Sequence, residues 1–346
     1  MTDSPDLKRR SLIKALAGTT LIPLLGSNLI ACSGSSNGSD NSDPALSVPA
    51  DFLHGVASGD QLTDRVIIWT RVTPESEGQV RIEWEVASDP GFTTVIVEGS
   101  GATSAAVDYT VKVDVEGLEP GTLYYYRFRT DGKTSAAGKT RTLPEGSILT
   151  ASFAVVSCSN YPAGYFNVYR EIANQEVDAV IHLGDYLYEY GPEGYASDQA
   201  EELGRGVEPK NELLSLSDYR KRYAQYRSDA DLQAAHAAHP FFIVWDDHEV
   251  ANDGWSDGAE NHDPDTEGDY SERKMMAIQA WYEWLPVRPP TNMNDIIYRR
   301  FKYGNLLDLL MLDTRVIGRD QQFTYDDFAT DGIIDVNKAR AGFNDS

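Results

Sequence analysis

The sequence predicts an α+β chain of two domains, an all-β domain over residues 50–144 and an α/β domain over residues 150–346. Short apolar segments separated by turn residues fill the first part, a pattern typical of a β-sandwich. In the second part strand patterns alternate with helical patterns, which predicts parallel strands joined by crossover helices. A hydrophobic content of 41% over 346 residues suffices for both cores.

The all-β region begins with a predicted entry strand over residues 52–58, whose His54 we interpret as a structural histidine. Residues 117–128 resemble the corner that precedes a late strand of fibronectin type III domains, where a Tyr hydroxyl bonds to the backbone. The resemblance implies a fibronectin/Ig-like β-sandwich. The further predicted strands cover residues 65–72, 79–87, 94–98, 109–115 and 123–129.

The α/β region begins with a strand, a helix and a second strand, which together predict a right-handed βαβ unit. A polar, Gly-rich segment over residues 191–215 is predicted to be a loop, and residues 251–269 a second, acidic loop. The predicted strands cover residues 152–157, 177–183, 241–244, 296–303 and 306–312, and the predicted helices cover residues 165–174, 216–227, 229–237 and 272–285.

The N-terminus is predicted to be an export signal over residues 1–31, followed by a flexible tether over residues 32–49. The segment Lys8-Arg9-Arg10-Ser11-Leu12-Ile13-Lys14 resembles a twin-arginine signal, and the apolar stretch after it is too short and broken for a membrane helix. Leu29-Ile30-Ala31-Cys32 resembles a lipoprotein processing site, which implies a lipid tether on Cys32. The expected location is therefore the periplasm or the cell surface. An ordinary secretory signal with a chance Cys is the alternative.

The charge of the chain limits its partners. A formal net charge of −24 without a basic stripe repels nucleic-acid phosphates, so no specific nucleic-acid partner is expected and a nuclease is disfavoured. The same charge fits a soluble extracytoplasmic protein or one that attracts cations. The sequence leaves the oligomeric state open.

Two acidic peptides follow buried-type strands and predict a metal site. Asp185 follows the strand over residues 177–183, and Asp247 with His248 follows the strand over residues 241–244. The carboxyl ends of strands form the ligand crevice of open α/β sheets, and clustered carboxylates suit hard cations. A helix N-cap is the alternative role for either aspartate.

Further candidate ligands lie near these ends. Tyr188 offers a phenolate, which suits a trivalent metal such as iron, although a core aromatic is the alternative; Asn252 offers an oxygen to a second cation. His248 has three candidate roles, as a ligand, a proton donor or a binder of substrate oxygen. Cys158 is either a small buried residue or a metal-binding thiolate, and the βαβ unit places it at the same edge as Asp185. Paired cations activate water and stabilise the attacking and leaving oxygens of a phosphoryl group, so the pattern indicates phosphoester hydrolysis.

These motifs resemble the alkaline phosphatase D (PhoD-like) metallophosphatase family. The resemblance rests on Ser157-Cys158, Gly184-Asp185-Tyr186-Leu187-Tyr188-Glu189-Tyr190, Trp245-Asp246-Asp247-His248-Glu249 and Leu312-Asp313-Thr314-Arg315, together with Gly55-Val56-Ala57-Ser58-Gly59-Asp60 and Ile68-Trp69-Thr70-Arg71 in the β region. It implies a calcineurin-like α/β sandwich that acts on phosphate mono- or diesters through a metal-activated water.

The resemblance also implies roles for the candidate residues. Cys158, Asp185 and Tyr188 would hold Fe³⁺, and Asp185 would bridge to Ca²⁺ held by Asp247 and Asn252. In a separate role, His248 would stabilise the transition state. Arg315 would help to hold phosphate, with a structural salt bridge as the alternative.

One departure from the family pattern concerns the C-terminal part. The family supplies a late Gly-Asp-x-His motif, whereas no His or Cys follows His262 here. We therefore expect a domain that is incomplete at the C-terminus, with one sheet face left uncovered. The leading hypothesis is a metal-dependent phosphoester hydrolase; the alternative is a surface-tethered binding protein with a decayed, catalytically incomplete phosphatase domain.

Overall fold

The computed structural model describes residues 47–290, 298–323, 328–330 and 333–334. The predicted signal, Cys32 and the tether up to residue 46 lie outside the described residues. Within that described part, none of the helices combines the length and apolar character that a membrane span requires.

The N-terminal region is built mostly of β-strands, as predicted. A short 3₁₀ helix at Ala105–Val107 interrupts them. The strands are β1 (Ala50–Asp51), β2 (Val56–Gly59), β3 (Arg65–Arg71), β4 (Thr73–Pro74), β5 (Val80–Ala87), β6 (Val95–Thr103), β7 (Thr110–Glu116), β8 (Leu123–Thr130), β9 (Lys133–Thr134) and β10 (Gly138–Arg141).

The C-terminal region alternates strands with helices, again as predicted. A 3₁₀ helix at Tyr161–Ala163 precedes its first α-helix. The strands are β11 (Phe153–Val156), β12 (Ala179–His182), β13 (Pro240–Ile243), β14 (Arg299–Tyr303), β15 (Leu307–Met311), β16 (Ala329–Thr330) and β17 (Ile333–Ile334), and the helices are α1 (Asn167–Ala173), α2 (Leu216–Arg227), α3 (Ala230–Ala238), α4 (Pro264–Glu267) and α5 (Tyr270–Trp284).

Capping residues explain where the longer helices begin. Ser215 precedes α2, and its side chain accepts from the Asp218 N–H while Asp218 accepts from the Ser215 N–H, a capping box. Asp229 and Asp269 accept from N–H groups at the starts of α3 and α5 in the same way. These helices cover one face of a sheet, where a cluster rich in Tyr and Trp forms the core.

A central sheet joins the two regions of the chain. Its strand order is β11-β12-β13-β2-β3-β7, while β10, β8, β5 and β6 form the outer sheet with β9 at its side. Strand β13 pairs in parallel with β2, so that Phe241 lies opposite Gly59. A strand from the N-terminal region therefore extends the sheet of the C-terminal region, and the boundary between the two predicted domains stays a prediction.

The predicted succession of a strand, a helix and a second, parallel strand is confirmed, while its right-handed crossover stays a prediction. Strands β11 and β12 are parallel, with Val155 opposite Ile181, and β12 continues in parallel with β13. Because these strands run in the same direction, their carboxyl ends meet at one edge of the sheet. This edge carries the candidate metal ligands.

Among the residues that the structure describes, a β-hairpin covers part of the second face of the central sheet. The hairpin of β14 and β15 packs Phe301 and Tyr303 against this face. Val155 and Leu183 on the sheet and Leu310 on the hairpin remain at least half exposed.

The corner before β8 shows the contact that the sequence indicated. The Tyr124 hydroxyl accepts from the Glu119 N–H at 2.9 Å and fixes the turn that leads into the strand. The fibronectin-like description of this region and the calcineurin-like description of the next remain predictions.

We predict that Gly59→Ala destabilises the junction between the two regions. A Cβ at Gly59 would lie 2.6 Å from the Pro286 carbonyl oxygen and closer still to that of Phe241, and neither backbone atom can move cheaply. The free energy of unfolding should fall by about 1–3 kcal/mol in urea denaturation. Gly318→Ala is the control, since a Cβ there meets no atom within 4 Å. Equal stability of the two variants would contradict this account.

Candidate metal centre

Three strand ends converge to form the site. Cys158 follows β11, Asp185 follows β12, and Asp247 with His248 follows β13. The first two loops are joined through their backbones, because the Cys158 N–H donates to the Gly184 carbonyl at 3.1 Å and the Ser159 N–H donates to that of Asp185 at 2.8 Å. Main-chain hydrogen bonds therefore hold the first two loops of the site together.

Two of the candidate ligands have unusual backbones. Cys158 has φ 59° and Asp185 has φ 54°, both in the left-handed region. A non-glycine residue is held there only when its surroundings impose the conformation, and such residues cluster at functional sites. The paired loops supply that constraint here.

The Asp185 carboxylate is the centre of the cluster. Its Oδ2 accepts from the Cys158 thiol at 3.3 Å and from the Tyr188 hydroxyl at 3.3 Å. Its Oδ1 is buried and has no hydrogen-bond partner among the described residues. A buried carboxylate oxygen without a partner is costly, and a cation bound there would remove that cost.

Burial raises the pKa of all three groups around Oδ2. For Asp185 burial is the main cause, the charge of His248 opposes it, and the charge of Asp247 adds to it. Burial and the negative charge of Asp185 raise the pKa of Tyr188, and the partial burial of its sulfur raises that of Cys158, although the residue as a whole is exposed. The thiol, phenol and carboxylate would bind a cation only as they release protons, which is typical of metal ligands.

His248 is fixed by a buried glutamate. Its Nδ1 lies 2.8 Å from Glu189 Oε2, and its ring packs on Tyr188 at 4.1 Å between centroids. Burial alone would lower the pKa of His248, but the hydrogen bond and charge of Glu189, together with Asp185 and Asp247, raise it to about 9. One candidate ligand atom each from Asp185, Asp247 and His248 lies within 4.8 Å of the others.

The donor set fits a cation pair. Cys158, Asp185 and Tyr188 supply sulfur and oxygen donors on one side, while Asp247 supplies carboxylate oxygens beside them. The thiol and phenol suit a trivalent transition metal, and the carboxylates suit a hard divalent cation. The structure therefore brings together four of the residues that the sequence singled out as ligands. The alternative of a buried, non-polar Cys158 does not hold, because this residue is exposed.

Asn252 lies at the rim of the cluster. Its backbone N–H donates to Glu189 Oε1 at 2.8 Å, and its side-chain Nδ2 donates to Glu260 at 2.6 Å. The side-chain oxygen is not engaged by these bonds. Its role as a cation ligand remains a prediction.

Arg315 meets carboxylates rather than an open cleft. Its Nε donates to Asp246 Oδ1 at 2.6 Å, and its Nη1 lies 3.8 Å from Asp247 Oδ2 and 3.6 Å from Asp253 Oδ1. This arrangement favours the structural alternative that the sequence left open. It also neutralises part of the acidic cluster.

Sequence reasoning missed two buried glutamates. Glu189 accepts from the Asn252 N–H and the Asn261 side chain with one oxygen and contacts His248 with the other. Glu249 accepts from the Tyr186 N–H at 2.6 Å and from the Asp246 N–H at 2.9 Å. Burial and the charge of Asp185 raise the pKa of Glu249. The only signal in the sequence was their position at the ends of the two acidic motifs.

A histidine in β12 is part of the core beneath the site. His182 is fully buried, its Nε2 lies 3.0 Å from Ser159 Oγ, and its Nδ1 accepts from the Gly184 N–H at 3.3 Å. The ring thus contacts both the loop after β11 and the loop after β12. It contributes no ligand to the cluster.

Comparisons with known proteins identify relatives of this chain. The profile of the PhoD-like phosphatase matches residues 153–342, and that of the PhoD-like phosphatase N-terminal domain matches residues 38–144. Alkaline phosphatase D of Bacillus subtilis (strain 168) is 41% identical over 284 residues, which cover 78% of this chain and 48% of the relative.

A solved structure of PhoD matches with a TM-score of 0.72 and 39% identity, over 83% of this chain and 55% of that one. The chain thus spans about half the length of the relatives it matches. The matches cover both the β-rich region and the α/β region. From the shared fold and the extent of identity, we conclude that this chain belongs to the PhoD-like phosphatase family.

Proposed function

We propose that this chain is a metal-dependent phosphoester hydrolase of the alkaline phosphatase D type. The observation that carries the proposal is the Asp185 carboxylate, whose Oδ2 is shared by a thiol and a phenol while its buried Oδ1 lacks a partner. The family match supports this proposal over the alternative of a surface-tethered binding protein with a decayed domain.

The proposed cofactors are Fe³⁺ and Ca²⁺. Cys158, Asp185 and Tyr188 would hold Fe³⁺, because thiolate and phenolate donors suit a trivalent transition metal. Asp185 would also contact Ca²⁺, with Asp247 and Asn252 as further oxygen donors. When bound, such a pair lowers the pKa of water and offsets the charge that develops on a phosphoryl group.

His248 is the proposed catalytic residue. Glu189 occupies Nδ1 at 2.8 Å, which leaves Nε2 for a substrate oxygen. Burial lowers the pKa of His248, but the hydrogen bond and charge of Glu189 raise it, so the imidazole can carry a proton on Nε2 and donate a hydrogen bond to the phosphoryl group. Glu189 fixes the ring and balances its charge.

Arg315 is proposed for a secondary part in substrate binding. Its Nη1 is buried and makes no hydrogen bond among the described residues, and Nε is held by Asp246. Arg315 would therefore affect phosphate binding mainly by holding the loop that carries Asp246. The proposed substrates are phosphate mono- or diesters.

We predict that Asp185→Asn removes both cations. The amide lacks the charge needed to offset two cations, and its nitrogen would oppose one of them. Elemental analysis should give less than a tenth of the wild-type iron and calcium, in line with about 10–100-fold losses of affinity for weaker changes around metal sites. Asp308→Asn, which changes an exposed carboxylate on β15, is the matched control. Retention of both metals by Asp185→Asn would refute the ligand assignment.

We predict that His248→Gln lowers kcat about 10²–10⁴-fold, the usual contribution of a positioned proton donor. The metal content should stay at the wild-type level if His248 acts on substrate. Turnover of a chromogenic phosphomonoester and phosphodiester, with elemental analysis on the same sample, checks both parts. Loss of a cation together with activity would instead make His248 a ligand, as its closeness to Asp185 and Asp247 also allows.

We predict export by the twin-arginine route and a lipid on Cys32, which support a periplasmic or cell-surface location. Cleavage before Cys32 would leave this residue at the mature N-terminus. Mass spectrometry of that N-terminus should show the added mass of acyl chains, and Cys32→Ala should abolish it. An unmodified wild-type N-terminus would rule out the tether.

A further inference from the structure

Glu249 connects the two acidic loops of the site. It is almost fully buried, at 1% exposure, and lies just after the Asp247-His248 pair. Oε1 accepts from the Tyr186 N–H at 2.6 Å and Oε2 accepts from the Asp246 N–H at 2.9 Å. The two donors belong to different loops, one after β12 and one after β13.

Each donor is the direct neighbour of a candidate ligand. Tyr186 follows Asp185, and Asp246 precedes Asp247. One planar carboxylate therefore sets the spacing between the backbones of the two aspartates. The bond to Asp246 is local, since it joins residues three apart, whereas the bond to Tyr186 joins residues 63 apart.

The loops after β12 and β13 also touch each other directly, at Gly184 and Asp246. A Cβ on Gly184 would lie 2.6 Å from Asp246 Cβ and closer still to the Asp246 backbone nitrogen. Glycine therefore allows the loops to meet, and Glu249 holds them at that distance. The contact and the two hydrogen bonds leave the loops little freedom to separate.

The two sides of the proposed cation pair depend on this connection differently. Cys158, Asp185 and Tyr188 lie on loops that are already joined by the Cys158 and Ser159 N–H groups. Asp247 lies on the other loop. Glu189 also joins these two loops, through His248 and Asn252, but Glu249 is the residue that binds the N–H groups next to both aspartates. A cation shared between Asp185 and Asp247 thus depends on Glu249, whereas a cation held by the first three residues does not.

We propose that Glu249 is a positioning residue that sets the distance between Asp185 and Asp247 and thereby the affinity for the cation they share. The inference rests on the proposed metal-dependent function. It assigns to Glu249 no contact with substrate or metal.

The test is Glu249→Gln in the purified protein. The amide has the size of the carboxylate, but its NH₂ group would face one of the two N–H donors, so one bond is lost. Iron content is measured by elemental analysis, and Ca²⁺ alone is titrated into the iron-loaded protein by calorimetry. We expect Ca²⁺ to bind about 10–100-fold more weakly while iron content stays within experimental error of the wild type.

Two further variants separate positioning from general stability. Glu85→Gln removes a buried glutamate on β5 that pairs with Arg129 at 2.6 Å, and it should leave Ca²⁺ affinity unchanged. Glu249→Asp keeps the carboxyl group but shortens the side chain, so it should also weaken Ca²⁺ binding and serves if Glu249→Gln does not fold.

The outcomes distinguish a failure of the inference on Glu249 from a failure of the proposed function. Wild-type Ca²⁺ affinity in a folded Glu249 variant, or loss of iron and calcium in equal proportion, would overturn the inference while leaving the proposed function intact. A wild-type protein that binds no cation would overturn the proposed function and the inference with it.

Discussion

The parallel pairing of β11, β12 and β13 is the constraint on which the site depends. Three sequence segments that are far apart reach the same edge of the sheet because their strands run in one direction. Main-chain bonds then join the first two loops, and Glu249 joins the second to the third. The backbone therefore fixes the positions of the loops, and the loops carry the candidate ligand side chains.

The buried carboxylates of the site are stabilised by nearby hydrogen-bond donors and positive charges. Glu189 and Glu249 are buried, yet backbone N–H groups and His248 satisfy their oxygens. Arg315 offsets part of the charge of Asp246 and Asp247. Among the carboxylate oxygens of these residues, Asp185 Oδ1 is the one that is both buried and without a hydrogen-bond partner within the described residues, so the local imbalance is concentrated at the point where a cation would bind.

Much of the fold was predictable from periodicity, and the errors have a common cause. The prediction ended β6 at residue 98 and omitted β10, because Gly99 and Gly138 look like turn residues. In the structure Gly99 packs against the ring of Trp84 and Gly138 against that of Tyr126, so each glycine makes room for an aromatic side chain. Such packing is tertiary and leaves no periodic signal.

The candidate site was predictable in its residue types but not in its supports. Cys158, Asp185, Tyr188 and Asp247 follow apolar strands, which the sequence displays directly. The partners of Glu189 and Glu249 are N–H groups on loops that meet only after folding. Arg315 was assigned to phosphate as one of two alternatives, and its nearest groups proved to be carboxylates.

The pairing of β2 with β13 makes the sheet of the C-terminal region depend on the N-terminal region. A fragment that began near residue 150 would leave the β13 edge with unpaired N–H and C=O groups, which favours intermolecular strand addition and aggregation. The N-terminal strands thus cover the edge of the sheet that carries Asp185 and Asp247. Recombination that exchanged this region for an unrelated module would have to supply an equivalent strand, which limits the gene fusions open to such a protein.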